Sequence, residues 1–401
     1  MYNIKLENYV PVPQPATPDR VVAVHYYAAW KKGSAGLHDA FNDLHTYPDR
    51  TPLCGYYDEE NPEYADWEIK WAVEHGINCF IHCWYRKPEN QGKPVTVADL
   101  RCGHGLHESL FNARYNQMMK FAIMFENSPR WGTTDSRDIV ENLMPFWCEN
   151  YFKRGNYLII DNKPVLFLYY SPRFEEVWPD PKDQAAAFDA CREYAKTQGF
   201  DGMIFAICDY KKSGAEYDAL MERGYDFRFS YTNSYKPEAS FPEEADVIEG
   251  QKAAVRKKFS EDAMRFVPTV SCFWDPTPRT TKHWIDMGYT FHLSKIWHLS
   301  PEGFRKVLRD VKAQADALPE GAWGKKILML DNWNEWDEGH FIAPSHKFGY
   351  KYLQAVREEL TERDNLPDYR TPQDMGLSGN LNKSWPEPDF AELCEEMLKN
   401  K

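Results

Sequence analysis

The sequence is poor in several features that would each have pointed to a class. No apolar run approaches the roughly 18 residues that a bilayer span requires. Basic charge is in deficit: 48 Lys and Arg stand against 61 Asp and Glu, a formal net charge of −13. Nucleic acid and anionic lipid are therefore excluded as main partners, since both need a basic footprint. The nine cysteines are odd in number and form no Cys-x-x-Cys pair, so neither a zinc site nor a disulfide framework is expected. Cys79, Cys83, Cys208 and Cys272 lie inside apolar runs, where a free thiol acts as a small hydrophobe. No His-Glu-x-x-His occurs, and His104 and His107 sit in a loop-like stretch, so no metal is expected. Met1 to Arg20 carries four prolines and no basic segment followed by an apolar one. No secretory signal is expected in this numbering. The chain reads as soluble, in the cytoplasm, or beyond it if a leader has been removed.

What is abundant is aromatic. The 401 residues hold 14 Trp, 24 Tyr and 23 Phe, or 15% of the chain. A hydrophobic fraction of 43% fits a large core and excludes disorder.

Eight short apolar runs recur: 21–30, 77–85, 121–126, 164–170, 203–209, 227–232, 266–275 and 326–333. Their near-continuous apolar character predicts strands buried on both faces, as in a parallel sheet. Helical patterns separate them. Asn61-Pro62-Glu63 is a helix start, with Tyr64, Trp67 and Trp71 following at helical spacing. Phe188, Cys191 and Ala195 mark a second helix, closed by Gly199. Ser300-Pro301-Glu302 opens a third, with Phe304, Val307, Leu308 and Val311 on one face. Phe348, Tyr352, Val356 and Leu360 form the last. Strand-then-helix repeated eight times predicts a (β/α)8 barrel over residues 21–361 with enlarged loops. A doubly wound sheet would want a Gly-rich turn after its first strand, where Tyr26, Tyr27 and Trp30 stand instead. Residues 1–20 are expected to form an N-terminal arm. Residues 362–401, with a short acidic helix from about Pro388, are expected to pack on the barrel as a C-terminal extension.

In such barrels the active site lies at the C-terminal strand ends. Those ends carry His25, Tyr26, Tyr27 and Trp30; His82, Trp84, Tyr85 and Arg86; Glu126, Asn127, Arg130 and Trp131; Tyr169 and Tyr170; Asp209 and Tyr210; Tyr231 and Asn233; Trp274, Asp275 and Arg279; and the run from Asp331 to His340. Single aromatics and histidines at such positions are often plain core residues. Glu126 ends an apolar strand, where an unpaired carboxylate is costly, so it is paired or functional. Indoles, carboxylates, amides and Arg on one face make up a carbohydrate site: indoles cover the C–H face of a sugar, and the polar groups bind its hydroxyls. The expected sugar-binding set is Tyr26, Tyr27, Trp30, Trp84, Glu126, Asn127, Trp274, Asp275, Arg279, Asn334 and Trp336.

The sharpest feature follows the eighth run: Asn334-Glu335-Trp336-Asp337-Glu338-Gly339. If this segment turns helically, Glu335 and Glu338 project to the same side. Glycoside cleavage needs two carboxyl groups in different protonation states. Two acids held close push their pKa values apart and supply one of each. Glu335 and Glu338 are the expected catalytic pair.

The motif Trp333-Asn334-Glu335-Trp336-x-Glu338-Gly339, followed by Phe348-Gly349-Tyr350, resembles the C-terminal signature of the glycoside hydrolase family 99-like proteins, including the WbsX-like group. The resemblance continues in Val24-His25-Tyr26-Tyr27, Gly55-Tyr56-Tyr57-Asp58, Gly76 through Tyr85, Phe125-Glu126-Asn127 with Trp131, Asp161-Asn162-Lys163-Pro164-Val165 and Trp274-Asp275-x-Thr277-Pro278-Arg279. It implies a (β/α)8 fold and retaining cleavage of α-mannoside-like bonds, with no cofactor. It further implies that Glu335 is the base to the sugar's own 2-hydroxyl, which attacks the anomeric carbon to form a 1,2-anhydro intermediate. Glu338 would be the general acid/base. Backside attack needs the 2-hydroxyl trans to the leaving group, as in α-manno and α-rhamno sugars. Asp337 departs from the family pattern, which has a small residue or His there. A third acid at that place is expected to raise the pKa of Glu338 or to bind substrate.

Two other functions stay open. WbsX-like proteins are often described as glycosyltransferases. A sugar-nucleotide enzyme would usually carry an Asp-x-Asp or a phosphate cradle. No Asp-x-Asp occurs, and Gly103 with Gly105 lacks the rest of a dinucleotide fingerprint. A non-catalytic glycan-binding protein is the other alternative.

Overall fold

The computed structural model describes residues 9–31, 41, 44, 46–128, 131–209, 216–233, 235–280 and 295–377. Eight parallel strands form a nearly closed barrel. They are β1 (Val21–Tyr26), β2 (Cys79–Arg86), β3 (Lys120–Phe125), β4 (Lys163–Leu168), β5 (Ile204–Cys208), β6 (Phe227–Phe229), β7 (Phe266–Val267) and β8 (Ile327–Asn332). The spatial order is β8-β1-β2-β3-β4-β5-β6-β7. Between β7 and β8 the ring is joined by a single parallel bridge, Thr269 to Met329. Met329 N donates to Pro268 O and Val270 N to Met329 O, each at 3.0 Å.

Each of the eight apolar runs coincides with one of these strands to within a residue or overlaps most of it. The seventh run is regular for two residues only. Pro268 follows at once, and a proline has no N–H for the ladder. The strands are buried nearly throughout, as both-face burial in a parallel sheet requires.

Five longer helices pack outside: α1 (Pro62–Glu74), α2 (Pro181–Thr197), α3 (Glu244–Glu261), α4 (Pro301–Asp316) and α5 (Lys351–Leu360). The starts of α1 and α4 are the capped ones seen in the sequence. Asn61 accepts from Glu63 N at 3.0 Å, and Ser300 accepts from Gly303 N at 3.1 Å. Gly199 follows α2 with φ +96°, a left-handed position that favours glycine. Phe304, Val307, Leu308 and Val311 of α4 are fully buried. The last helix starts at Lys351, so Phe348 precedes it.

Two units depart from simple alternation. After β2 the described chain has a wide π turn at Gly105–Ser109 and a tight turn at Leu110–Asn112 in place of an α-helix. After β3 the helical segment 136–152 widens into π turns at Ile139–Leu143 and Cys148–Phe152. Pro145 lies between them and removes one helical donor. The described cysteines are free thiols, and all but Cys102 are buried. No helix among the described residues is long and apolar enough to cross a membrane.

Residues after α5 run beside α1: Asp368 N donates to Glu74 Oε2 at 3.0 Å, and Lys70 Nζ donates to the same carboxylate at 2.6 Å. The helix expected from about Pro388, like residues 1–8 of the expected N-terminal arm, lies outside the described residues.

Candidate active site

Beyond β8 the chain makes a hairpin. Asn334–Glu335 pairs antiparallel with His340–Phe341. The expected helical turn is thus a hairpin turn over 336–339. Gly339 makes it possible: its φ is +61°, and a Cβ there would lie 2.5 Å from Asp275 O. Both Glu335 and Glu338 still face one cavity of about 230 Å³ at the C-terminal strand ends. Tyr27 lines it from the end of β1, Cys83 and Tyr85 from β2, Met124 and Glu126 from β3, Tyr169 from β4 and Tyr231 from β6. Ser128, Trp131 and Arg279 complete the wall.

Arg279 is the cation of this site. Its Nη2 donates to Glu335 Oε1 at 2.7 Å, and its Nε and Nη2 donate to the two oxygens of Asp337 at 2.8 and 3.0 Å. Its Nη1 donates to Glu338 Oε1. The buried guanidinium favours the charged form of each carboxylate it meets, and at Glu335 burial and the charge of Glu338 outweigh it. Asp337, buried and bidentate on Arg279, braces this cation and does not line the cavity. Its charge raises both glutamates, though less than other neighbours act on them.

A second chain of hydrogen bonds enters from behind. Asp331 Oδ1 is 2.8 Å from His340 Nδ1, and His340 Nε2 is 2.8 Å from Glu338 Oε2. Asp331 has φ +62°, unusual for a residue with a Cβ, and so sits in strained backbone. Tyr231 Oη lies 3.3 Å from Asn332 Oδ1 and 3.5 Å from Glu335 Oε2.

These contacts separate the two glutamates. Burial pushes the Glu335 carboxyl up to about 8, and the charge of Glu338 adds to it. Burial also opposes the charge of Glu338, but Arg279 and His340 outweigh it and hold that carboxyl below its ordinary value. Burial disfavours His340's charge as well, yet Asp331 and Glu338 raise it to about 10. Across the cavity, burial lifts Glu126 to about 7 against the bonds from Ser128. Ligand atoms of Glu335, Glu338 and His340 come within 4.8 Å of one another, close enough for a metal ion. Arg279 already supplies the positive charge at that cluster.

The expected site residues separate into two groups. Tyr27, Glu126, Arg279, Glu335 and Glu338 meet at the cavity. The others do not line this cavity. Trp30 is buried against Phe41. Trp84 points into the helical segment 136–152, with Nε1 on Tyr151 Oη at 2.9 Å. Trp336 is buried with Nε1 on Tyr57 Oη at 3.0 Å, and Trp333 donates to Glu68 at 2.7 Å. Trp274 packs on the His340 ring at 5.0 Å. Tyr26 donates to Glu68 at 2.6 Å and lines a smaller cavity behind the site. Asn127 and the Tyr170 backbone exchange two hydrogen bonds, 2.8 and 2.9 Å. Asn334 bridges Tyr27 N at 2.9 Å and Glu59 at 2.8 Å. Asp275 pairs with Arg50 at 2.7 Å. Arg130 and Tyr210 lie outside the described residues. Among the described tryptophans, Trp131 is the one that lines the cavity. His340 and Asp331 stand at or beyond the end of the eighth run, and the sequence assigns neither a role in the site.

A family model described as Glycosyltransferase WbsX matches residues 130–356, more than half of the chain. The chain belongs to this family. The WbsX-family match takes in Trp131, Arg279, Glu335, Glu338 and His340. The uncharacterized protein WxcX of Xanthomonas campestris pv. campestris is 22% identical over 92% of the chain. The chain spans about half of that relative's length, 51%. Among solved structures, a GH99 endo-alpha-mannosidase from Bacteroides thetaiotaomicron superposes with a TM-score of 0.53 at 15% identity, covering 85% of this chain and 96% of that one. A glycoside hydrolase-like protein superposes with a TM-score of 0.59 at 15% identity, covering 88% and 98%. These likenesses establish the barrel. The family description is that of a glycosyltransferase, and the structural likenesses show the fold.

Proposed function

We propose that the cavity is the active site of a retaining glycoside hydrolase acting on α-manno- or α-rhamno-configured linkages of an oligo- or polysaccharide. The observation that carries this reading is the pair Glu335 and Glu338, facing one cavity with unequal hold on a proton. Glu335 takes the proton of the sugar 2-hydroxyl as O2 attacks the anomeric carbon. Glu338 gives its proton to the departing oxygen. Water then opens the 1,2-anhydro sugar, losing its proton to Glu338 while O2 recovers one from Glu335. Two inversions leave the anomeric configuration retained.

Burial and the charge of Glu338 favour the proton on Glu335, while Arg279 and His340 favour the charged form of Glu338. The reaction needs the proton on Glu338, so the productive form is the other tautomer of the same pair. Arg279 bridges both carboxyls, and a shift of its guanidinium moves the balance. Tyr27, Tyr85, Trp131, Tyr169 and Tyr231 supply ring faces for the sugar.

The family description favours a second reading, transfer from a sugar nucleotide. A diphosphate needs cations, and Arg279, the one cation among the described cavity residues, is engaged by three carboxylates. The test is a product screen on α-mannans and rhamnose-containing glycans, with the anomeric configuration followed by NMR. Retained product is expected, and Glu338→Gln should lower turnover by about 10²–10⁴ while leaving glycan binding. Full activity in that variant, or inverted product, would sink the reading. Transfer from a sugar nucleotide with no free-sugar release would favour the second.

A further inference from the structure

The hydrogen-bond chain behind Glu338 takes no part in the steps above. His340 stands directly after the motif's glycine, on the return strand of the hairpin. It is fully buried, and its two ring nitrogens end on carboxylates of different elements: Asp331 at the end of β8 and Glu338 in the turn. Asp331 Oδ2 is buried with no hydrogen-bond partner among the described residues, so its charge is met through His340 alone on this side. Asp331 itself has a left-handed φ of +62°, uncommon for a residue with a Cβ.

We propose that His340, braced by Asp331, is a positioning residue that fixes the charge of Glu338 and so decides which of the two glutamates carries their shared proton. The proposal rests on the hydrolase reading for its kinetic consequence, but the charge arrangement is testable without it.

The physical reason is geometric. Nε2 faces Glu338 at 2.8 Å, and Nδ1 lies nearer the Asp331 carboxylate, at 2.8 Å, than the Asn332 amide nitrogen, at 3.2 Å; an imidazole donates to both carboxylates only as the doubly protonated cation. That cation donates to Glu338 Oε2 while Arg279 Nη1 donates to Oε1, so both oxygens of Glu338 meet positive donors. Glu335 meets Arg279 on Oε1 and only the distant Tyr231 hydroxyl on Oε2. The other groups facing His340 are the Asn332 amide, the rings of Trp274 and Tyr231, and His25, whose own charge burial suppresses to a pKa of about 3. None of these supplies a competing charge. The geometry therefore biases the proton toward Glu335, and the bias is adjustable at His340 without touching substrate.

The experiment compares the full chain with His340→Gln and Asp331→Asn by carboxyl and imidazole NMR titration. In the unaltered protein His340 should remain an imidazolium from pH 5 to pH 8. In His340→Gln the Glu338 carboxyl should titrate about 1–3 pH units higher, the effect of losing one close opposite charge. Asp331→Asn keeps the ring and weakens its charge, so a smaller shift in the same direction is expected. It also serves if His340→Gln does not fold. The acid limb of the kcat/KM profile should move to higher pH with the carboxyl, whereas a merely structural role would lower the rate with the limb in place. A His340 that titrates near its ordinary value of about 6.5, or a Glu338 titration unchanged in both variants, would overturn the proposal. If no glycan is cleaved by the unaltered protein, the hydrolase reading fails while the NMR titrations still decide the charge arrangement.

Discussion

Replacing Arg279 with Met removes the cation that three carboxyl groups share. Glu335, Asp337 and Glu338 all lie within hydrogen-bond reach of it, and all are withdrawn from water. A unit-charge pair at 4 Å is worth about 4 kcal/mol at an effective dielectric near 20. Releasing Arg279 from its own desolvation offsets part of this. Breaking a buried pair by deleting one partner typically costs about 3–5 kcal/mol, and that loss is expected at pH 7. The sign with pH is diagnostic. In the unaltered protein Glu338 lies below its ordinary value, so its contribution is present above the unfolded pKa and lost as pH falls through the folded one. Without Arg279, Glu335, already raised to about 8 by burial, is pushed up further, and Glu338 rises with only His340 left to oppose its burial. Stability of Arg279→Met is then full at low pH and declines as pH rises. Urea denaturation at pH 4.5 and pH 7 reads the difference, which should be much smaller at the lower pH. Arg279→Met/Asp337→Asn should recover part of the loss at pH 7. An unchanged midpoint at pH 7, or an equal loss at both pH values, would refute the electrostatic account.

The remaining predictions concern the cavity wall and its frame. Trp131→Ala should raise KM or weaken glycan binding with little loss of stability, since this indole sits at the cavity wall. Trp84→Ala should do the reverse, costing about 3–5 kcal/mol of stability, because its ring packs between Phe125 and Trp147. Glu126 is raised from 4.5 to about 7, so the stability tied to its protonated form is full below the unfolded value and lost as pH rises through about 7. Glu126→Gln should remove that slope and gain on the order of 3 kcal/mol at pH 8, read by denaturation across pH. Gly339→Ala should unseat the hairpin, because its Cβ would lie 2.5 Å from Asp275 O in a left-handed turn. Weaker glycan binding and a lower melting temperature are both expected.

Much of the barrel was legible because its signals are local. Buried parallel strands need unbroken apolar runs, and helix caps such as Asn61 and Ser300 need particular side chains at particular places. Both survive in the order of residues. Where prediction and structure part, a single residue accounts for it: Pro268 cuts β7 short, and Gly339 turns the motif as a hairpin where a helix was expected. The pair Glu335 and Glu338 was legible for the same local reason, being three residues apart in one turn. The indoles were not. A strand-end tryptophan has the same sequence signature whether it faces a cavity, as Trp131 does, or a neighbouring helix, as Trp84 does.

By itself, the sequence determined the strand order, the apolar content of the core and the two acids of the turn, because each depends on residues close along the chain. The tertiary structure alone decided which groups govern those acids. Arg279 reaches Glu335 from 56 positions away, and Tyr231 does so from 104. Their charges and hydroxyls act through distance in space, which ring closure sets and which no spacing along the chain encodes.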